Sequence, residues 1–207
     1  AEGSVVPPSE KARSGTSESS LSSEIGAARD PEFLRAARPI LEWYAAYFRS
    51  EVRGFDRLPA QGPMLVVGNH CNMLDMPVCA IGFRQPARPL AKMEFARMPV
   101  LGLLFKRFSV MVARDSAESR RKSALIMNEL LRSGESILIF PEGTRNKTRE
   151  PLQPFKDGAF RSAIATQAPI LPFVQINMRS CQDFGTVFFR PGQTIIRFLP
   201  PIDTTGL

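Results

Sequence analysis

The 207-residue sequence has one histidine, one tryptophan and three cysteines. Cys71, Cys79 and Cys181 are an odd number, stand at no zinc-ligand spacing with the lone histidine and form no CxxC pair, so neither a metal site nor a disulfide framework is expected. Unpaired cysteines fit a reducing compartment. Long apolar runs are missing as well. The longest, PMLVVG at 63–68 and MPVLGLLF at 98–105, fall far short of the about 18 residues that suggest a membrane-spanning helix. At a membrane this chain would lie on the surface, with an anchor outside the given sequence left open. There is no G-x-S-x-G elbow, hence no serine nucleophile of that kind. No basic-aromatic ladder or RNP-like block occurs, which argues against nucleic acid as the partner.

The first thirty residues hold eight serines and no aromatic residue, too little apolar surface to offset the entropy of ordering them. They read as a disordered tail. Their five acids argue against an organellar transit peptide, and the lack of an apolar run argues against a signal peptide. Removing the tail's three bases and five acids from the chain's 27 and 20 leaves 24 bases and 15 acids, a net +9. That excess suits an anionic partner, and it equally suits a merely soluble basic domain.

Residues 31–50 read as an amphipathic helix. Phe33, Leu34, Ala37, Ile40, Leu41, Tyr44, Tyr47 and Phe48 share one face, and Arg35, Arg38, Glu42 and Arg49 the other. A membrane-interfacial helix and a core-packing helix both fit this pattern. Beyond it, apolar strand-like runs at Met64–Val67, Leu90–Met93, Ser109–Ala113, Ile137–Phe140, Ile170–Ile176 and Thr194–Leu199 alternate with helical patterns near 73–83, 96–107, 117–132 and 157–167. Alternation of this kind predicts an α/β fold, with a mostly parallel central sheet flanked by helices and chemistry at the carboxyl ends of its strands.

The lone histidine stands in GNHCNMLD, 68–75, directly after the first predicted strand. Asn72 suits an N-cap, and Asp75, three residues on, suits the acid of a capping box. With His70 ahead of the cap, its ring can fold back over the first turn. Asp75 then takes one ring nitrogen and leaves the other free as a base, the orienting logic of a catalytic triad without its serine. A capping acid beside a buried, satisfied histidine is the plainer alternative. A second constellation, ILIFPEGTRN at 137–146, ends an apolar strand in Pro141, Glu142, Gly143, Thr144 and Arg145. Proline stops the ladder, glycine lets the chain turn with N–H groups exposed, and arginine offers a bidentate fork, so the turn suits a phosphate. An ordinary polar loop would also fit.

Four blocks in order give the chain a resemblance to the 1-acylglycerol-3-phosphate O-acyltransferases of the glycerolipid acyltransferase superfamily. They are NHCNMLD, then the segment from 91 to 116 that supplies Lys92, Glu94, Gly102 and Arg114, then FPEGTR at 140–145, and APILPFVQI at 168–176 with Pro169 and Pro172. PFKDGAF at 154–160 and the last eighteen residues are also similar. The chain departs from the pattern at Asn72, where the family usually has serine, and relatives usually continue past PPIDTTGL, which leaves a C-terminal helix open. The resemblance implies a catalytic domain over 51–207 that moves a fatty acyl group from an acyl thioester, acyl-CoA or acyl carrier protein, to the sn-2 hydroxyl of lysophosphatidate. It implies no cofactor or metal. His70 would be the base and Asp75 its orienting acid; Arg114 and Arg145, with Lys92, would hold the phosphate, while Glu142, Gly143 and Thr144 shape the turn. It further implies peripheral contact with a membrane at its cytoplasmic face. Residues 98–105 would line part of an acyl groove, or simply form a core helix. Two other readings remain: another acceptor (a lysophospholipid, glycerol 3-phosphate or a lyso-aminolipid), or a non-catalytic lipid-binding module, which would have no need of His70 and Asp75 together.

Overall fold

Short apolar runs bounded by turn residues become strands buried on both faces, the usual signature of parallel sheet. The structure, a computed structural model, describes residues 42–57, 62–72, 75, 87–97, 109–113, 116–183 and 188–207, with single positions 39, 102 and 186. Among these residues seven strands form one sheet: β1 (Glu51–Arg53), β2 (Leu65–Gly68), β3 (Ala87–Lys92), β4 (Val110–Val112), β5 (Ser136–Ile139), β6 (Ile170–Ile176) and β7 (Ile195–Phe198), in the order β1-β7-β6-β2-β5-β3-β4. Every pairing is parallel except β6 with β7, so the sheet is mostly parallel, as the alternation of strands and helices predicts.

Side chains alternate across the pleat and build two cores. Leu65, Val67, Ile137, Ile139 and Ile170 face one side, where they meet Ile126, Met127, Leu130 and Leu131 of α1 (Ala117–Arg132) and Ala159 and Ala163 of α2 (Gly158–Thr166). Val66, Leu138, Leu171, Phe173, Ile196 and Phe198 face the other, beneath Tyr44, Phe48 and the short α3 (Met178–Cys181). Helix α1 starts at Ser116, whose hydroxyl accepts the Ser119 N–H at 3.0 Å while the Ser119 hydroxyl accepts the Ser116 N–H at 2.9 Å. This reciprocal cap satisfies donors that a helix start otherwise leaves open. Helix α1 occupies 117–132 as the sequence predicts, with Ile126, Met127, Leu130 and Leu131 as its buried apolar stripe.

Two strands correct the sequence reading. β1 has no apolar run, because it is a three-residue edge strand that pairs only with β7 and has Val52 as its one apolar residue. β3 spans Ala87–Lys92 rather than Leu90–Met93, since Arg88, which reads as loop, is buried and ion-paired with Glu135 at 3.3 Å. In the N-terminal helical pattern, residues 42–47 are helical. Tyr44 and Phe48 pack into the core while Trp43 stays exposed, so this stretch has both a core side and a wet aromatic side. Phe48 and Arg49 form a turn that ends this helix, while the tail at 1–30, residues 31–41 apart from Pro39, most of the helices expected near 73–83 and 96–107 with the acyl-groove stretch 98–105 apart from Gly102, and Arg114 all lie outside the described residues.

Candidate active site

Strand order brings the carboxyl ends of β2, β5 and β3 side by side, with polar loops after β2 and β5 and a short 3-10 turn, Met93–Arg97, after β3. His70 follows β2, the turn 141–145 follows β5, and Lys92 ends β3. In the first loop, His70 Nδ1 lies 2.6 Å from Asp75 Oδ2, and the Asp75 side chain has no exposed surface. The same oxygen accepts the N–H of Cys71 at 2.5 Å and of Asn72 at 3.0 Å. The capping geometry expected of Asp75 is therefore present, and the ring joins it. The Asn72 side-chain amide also donates to the carbonyls of Met178 and Gln182, which ties the loop to α3. The His70 ring stacks on Phe140 at 4.3 Å and keeps about a fifth of its side-chain surface open to solvent.

Burial pushes the Asp75 carboxyl above the usual carboxylate range, and the His70 hydrogen bond and the Asn72 and Cys71 N–H groups pull it partly back. Its Oδ1 has no hydrogen-bond partner among the described residues. The negative charge at this position is thus costly unless a cation forms next to it, and a protonated imidazole is such a cation. Burial likewise pushes the Cys71 thiol up to about 12, so it stays protonated and is a poor nucleophile.

The second loop is bonded to the first. Glu142 is 3% exposed, and its Oε1 accepts the His70 N–H at 2.8 Å while Oε2 accepts the Gln153 N–H at 3.3 Å. The His70 carbonyl in turn accepts the Asn146 N–H at 2.8 Å. His70 is therefore held on both sides of its peptide by the chain that carries the Pro-Glu-Gly-Thr turn. Gly143 has φ 74, in the left-handed region that favours glycine, so this turn suits glycine there. Thr144 is exposed, Arg145 half-buried, and Lys92 exposed at its strand end. The structure brings His70, Asp75, Glu142 and Gly143 together; it sets Lys92 on the same edge of the sheet and does not describe Arg114.

Several supporting residues escape sequence reasoning. Asn69 and Gln175 exchange three buried bonds: Gln175 N–H to Asn69 Oδ1 at 2.7 Å, Asn69 Nδ2 to Gln175 O at 3.1 Å, and Gln175 Nε2 to Asn69 O at 2.9 Å. They join the ends of β2 and β6 just before the histidine. Asn146, 2% exposed, accepts from Thr148 N–H, Thr148 Oγ1 and Gln153 Nε2 and donates to the Glu150 carbonyl. Arg179 clamps the same loop through the carbonyls of Thr148 and Asn146. The only sequence signal is a polar residue, Gln175, set inside an otherwise apolar run.

A family model for acyltransferases, described as "Acyltransferase", matches residues 49–176. The chain is 34% identical over 188 residues to mouse 1-acyl-sn-glycerol-3-phosphate acyltransferase alpha, covering 86% of this chain and 64% of that protein. It is 35% identical over 173 residues to the human alpha enzyme, covering 79% and 58%. With the 1-acyl-sn-glycerol-3-phosphate acyltransferase of Salmonella typhimurium it shares 31% identity over 146 residues, covering 70% and 58%. The chain thus spans about three fifths of the length of the curated relatives it matches. The crystal structure of the 1-acyl-sn-glycerophosphate acyltransferase from Thermotoga maritima superposes with a TM-score of 0.66 at 23% identity, covering 90% of this chain and 78% of that one, which establishes the shared fold. The chain belongs to the Acyltransferase family.

Proposed function

We propose that the chain carries the catalytic domain of a 1-acylglycerol-3-phosphate O-acyltransferase, which transfers a fatty acyl group from an acyl thioester to the sn-2 hydroxyl of lysophosphatidate and yields phosphatidate and a free thiol. The observation that carries the reading is the 2.6 Å contact between His70 Nδ1 and buried Asp75, joined through Glu142 to the turn after β5. The curated relatives bear the name of this activity.

With Nδ1 held by Asp75, Nε2 is the nitrogen available to an acceptor hydroxyl. Nε2 takes the hydroxyl proton as the oxygen attacks the thioester carbonyl, and the imidazolium that forms is matched by the buried carboxylate. Collapse of the tetrahedral adduct expels the thiolate, which receives that proton. A thioester is already activated, so no covalent enzyme intermediate is needed, in keeping with a Cys71 thiol pushed up to about 12. Arg145 and Lys92, with Arg114 beyond the described residues, are the cations for the phosphate: an arginine's planar guanidinium engages two phosphate oxygens at once, and the lysine adds a point charge. Glu142, Gly143 and Thr144 form the turn that presents Arg145.

Membrane contact, at the cytoplasmic face, is part of the same reading. Among the described residues no helix is long and apolar enough to cross a bilayer. Trp43, Tyr44, Tyr47, Phe48, Phe188 and Phe189 line a cavity of about 440 Å³, with Trp43 and Phe188 well exposed. An aromatic surface of this kind suits the headgroup boundary of a membrane.

The test is thiol release from palmitoyl-CoA with and without lysophosphatidate, alongside detection of phosphatidate. Acceptor-dependent release supports the proposal. Release only with another acceptor moves the function to that acceptor, and lipid binding without release leaves a non-catalytic module.

A further inference from the structure

The segment 154–160 follows the Pro-Glu-Gly-Thr turn and no role has been assigned to it. Its Lys156 donates its backbone N–H to the Pro141 carbonyl at 2.9 Å, which fixes the root of the side chain at the start of the turn. From there the stem crosses Gly143. A Cβ placed on Gly143 would lie 2.8 Å from Lys156 Nζ, 3.0 Å from Cε and 3.2 Å from Cδ. The missing side chain of Gly143 thus makes room for the lysine as well as permitting the turn.

This ammonium is not spent on a carboxylate. Among the described residues Lys156 forms no ion pair. The neighbouring acid, Asp157, is paired with Arg161 at 2.7 Å. Glu142, next to Gly143, directs both oxygens at backbone N–H groups. What remains is an exposed, uncompensated cation laid over a glycine turn, one residue from the carboxylate that holds the His70 peptide.

We infer that the Lys156 ammonium binds the phosphate of the acceptor, as a head-group residue additional to Arg145 and Lys92. The inference rests on the acyltransferase reading above. A compact ammonium with three donors is a point charge suited to an anionic oxygen, and backbone anchoring removes part of the entropy a free lysine would lose on binding.

The test compares wild type, Lys156→Gln and Lys156→Arg with palmitoyl-CoA as donor, and with lysophosphatidate or uncharged 1-acylglycerol as acceptor. Lys156→Gln is expected to raise the Michaelis constant for lysophosphatidate about ten- to hundredfold, with kcat within about threefold and the donor's constant unchanged. Its preference for lysophosphatidate over 1-acylglycerol falls by the same factor, and Lys156→Arg restores most of it. An unchanged acceptor constant in Lys156→Gln, or an equal loss with both acceptors, overturns the inference while the enzyme reading stands. No acceptor-dependent release by wild type overturns both.

Discussion

Replacing Asp75 by Asn separates what this residue does for folding from what it does for chemistry. Three N–H groups converge on its Oδ2 inside a fully buried site. The amide is nearly isosteric, and with its oxygen turned to Cys71 and Asn72 both backbone bonds survive in neutral form. Each then drops from the about 1.5–3 kcal/mol of a charged bond to about 0.5–1.5 kcal/mol. Against that, burial holds the carboxyl above its ordinary range, so removing the charge returns a desolvation cost. The two effects oppose each other, and the net change in stability should stay within about 1 kcal/mol, or about 2–4 °C in Tm for a domain of this size. Catalysis has no such offset. The imidazolium loses its counter-charge even though the amide oxygen can still accept the Nδ1–H, so kcat should fall about 10²–10⁴-fold, equivalent to about 2.7–5.4 kcal/mol of barrier. Asp75→Ala serves as the contrast, since it strips the acceptor from buried donors and should lose about 1–3 kcal/mol of stability besides. The assay is thiol release with lysophosphatidate, read beside thermal denaturation. An Asp75→Asn protein with wild-type Tm and kcat within about threefold of wild type would refute the reasoning.

Two further outcomes follow from the same geometry. Glu142→Gln keeps one acceptor oxygen but turns an NH₂ toward either the His70 or the Gln153 N–H, so Tm should fall by an amount equivalent to about 1–3 kcal/mol and kcat should fall with it; unchanged values for both would show that the two loops are not coupled through this carboxylate. Cys71 sits at about 12 instead of 9.0, and because a raised thiol pKa means less thiolate at any lower pH, iodoacetamide labelling at pH 8 should be about a thousandfold slower than for an ordinary thiol, rising as pH climbs toward 12; labelling at the ordinary rate would contradict the buried environment.

The parts of this molecule legible in the sequence are those whose signal is local. Helix α1 starts at a serine cap and fills 117–132, β6 is a seven-residue run apolar but for Gln175, and His70 to Asp75 is a contact across five residues. The illegible parts are pairings between distant residues. Glu142 reaches His70 across 72 residues and Gln175 reaches Asn69 across 106, with no periodicity to announce either. β1 was hidden because an edge strand of Glu, Val and Arg needs no hydrophobic run, and the start of β3 because a buried arginine is intelligible only once Glu135 is beside it. The exposed Trp43 beside buried Tyr44 shows why the N-terminal helical pattern suited both a core and an interface.

The most direct measurement of the central claim is the rate of lysophosphatidate-dependent thiol release by His70→Ala, taken together with its Tm. The account predicts a rate at least about 10²-fold below wild type at a Tm within a few degrees of it, because the ring supplies the base while the fold rests on the two cores. A folded His70→Ala protein that still turns over at close to the wild-type rate would contradict it.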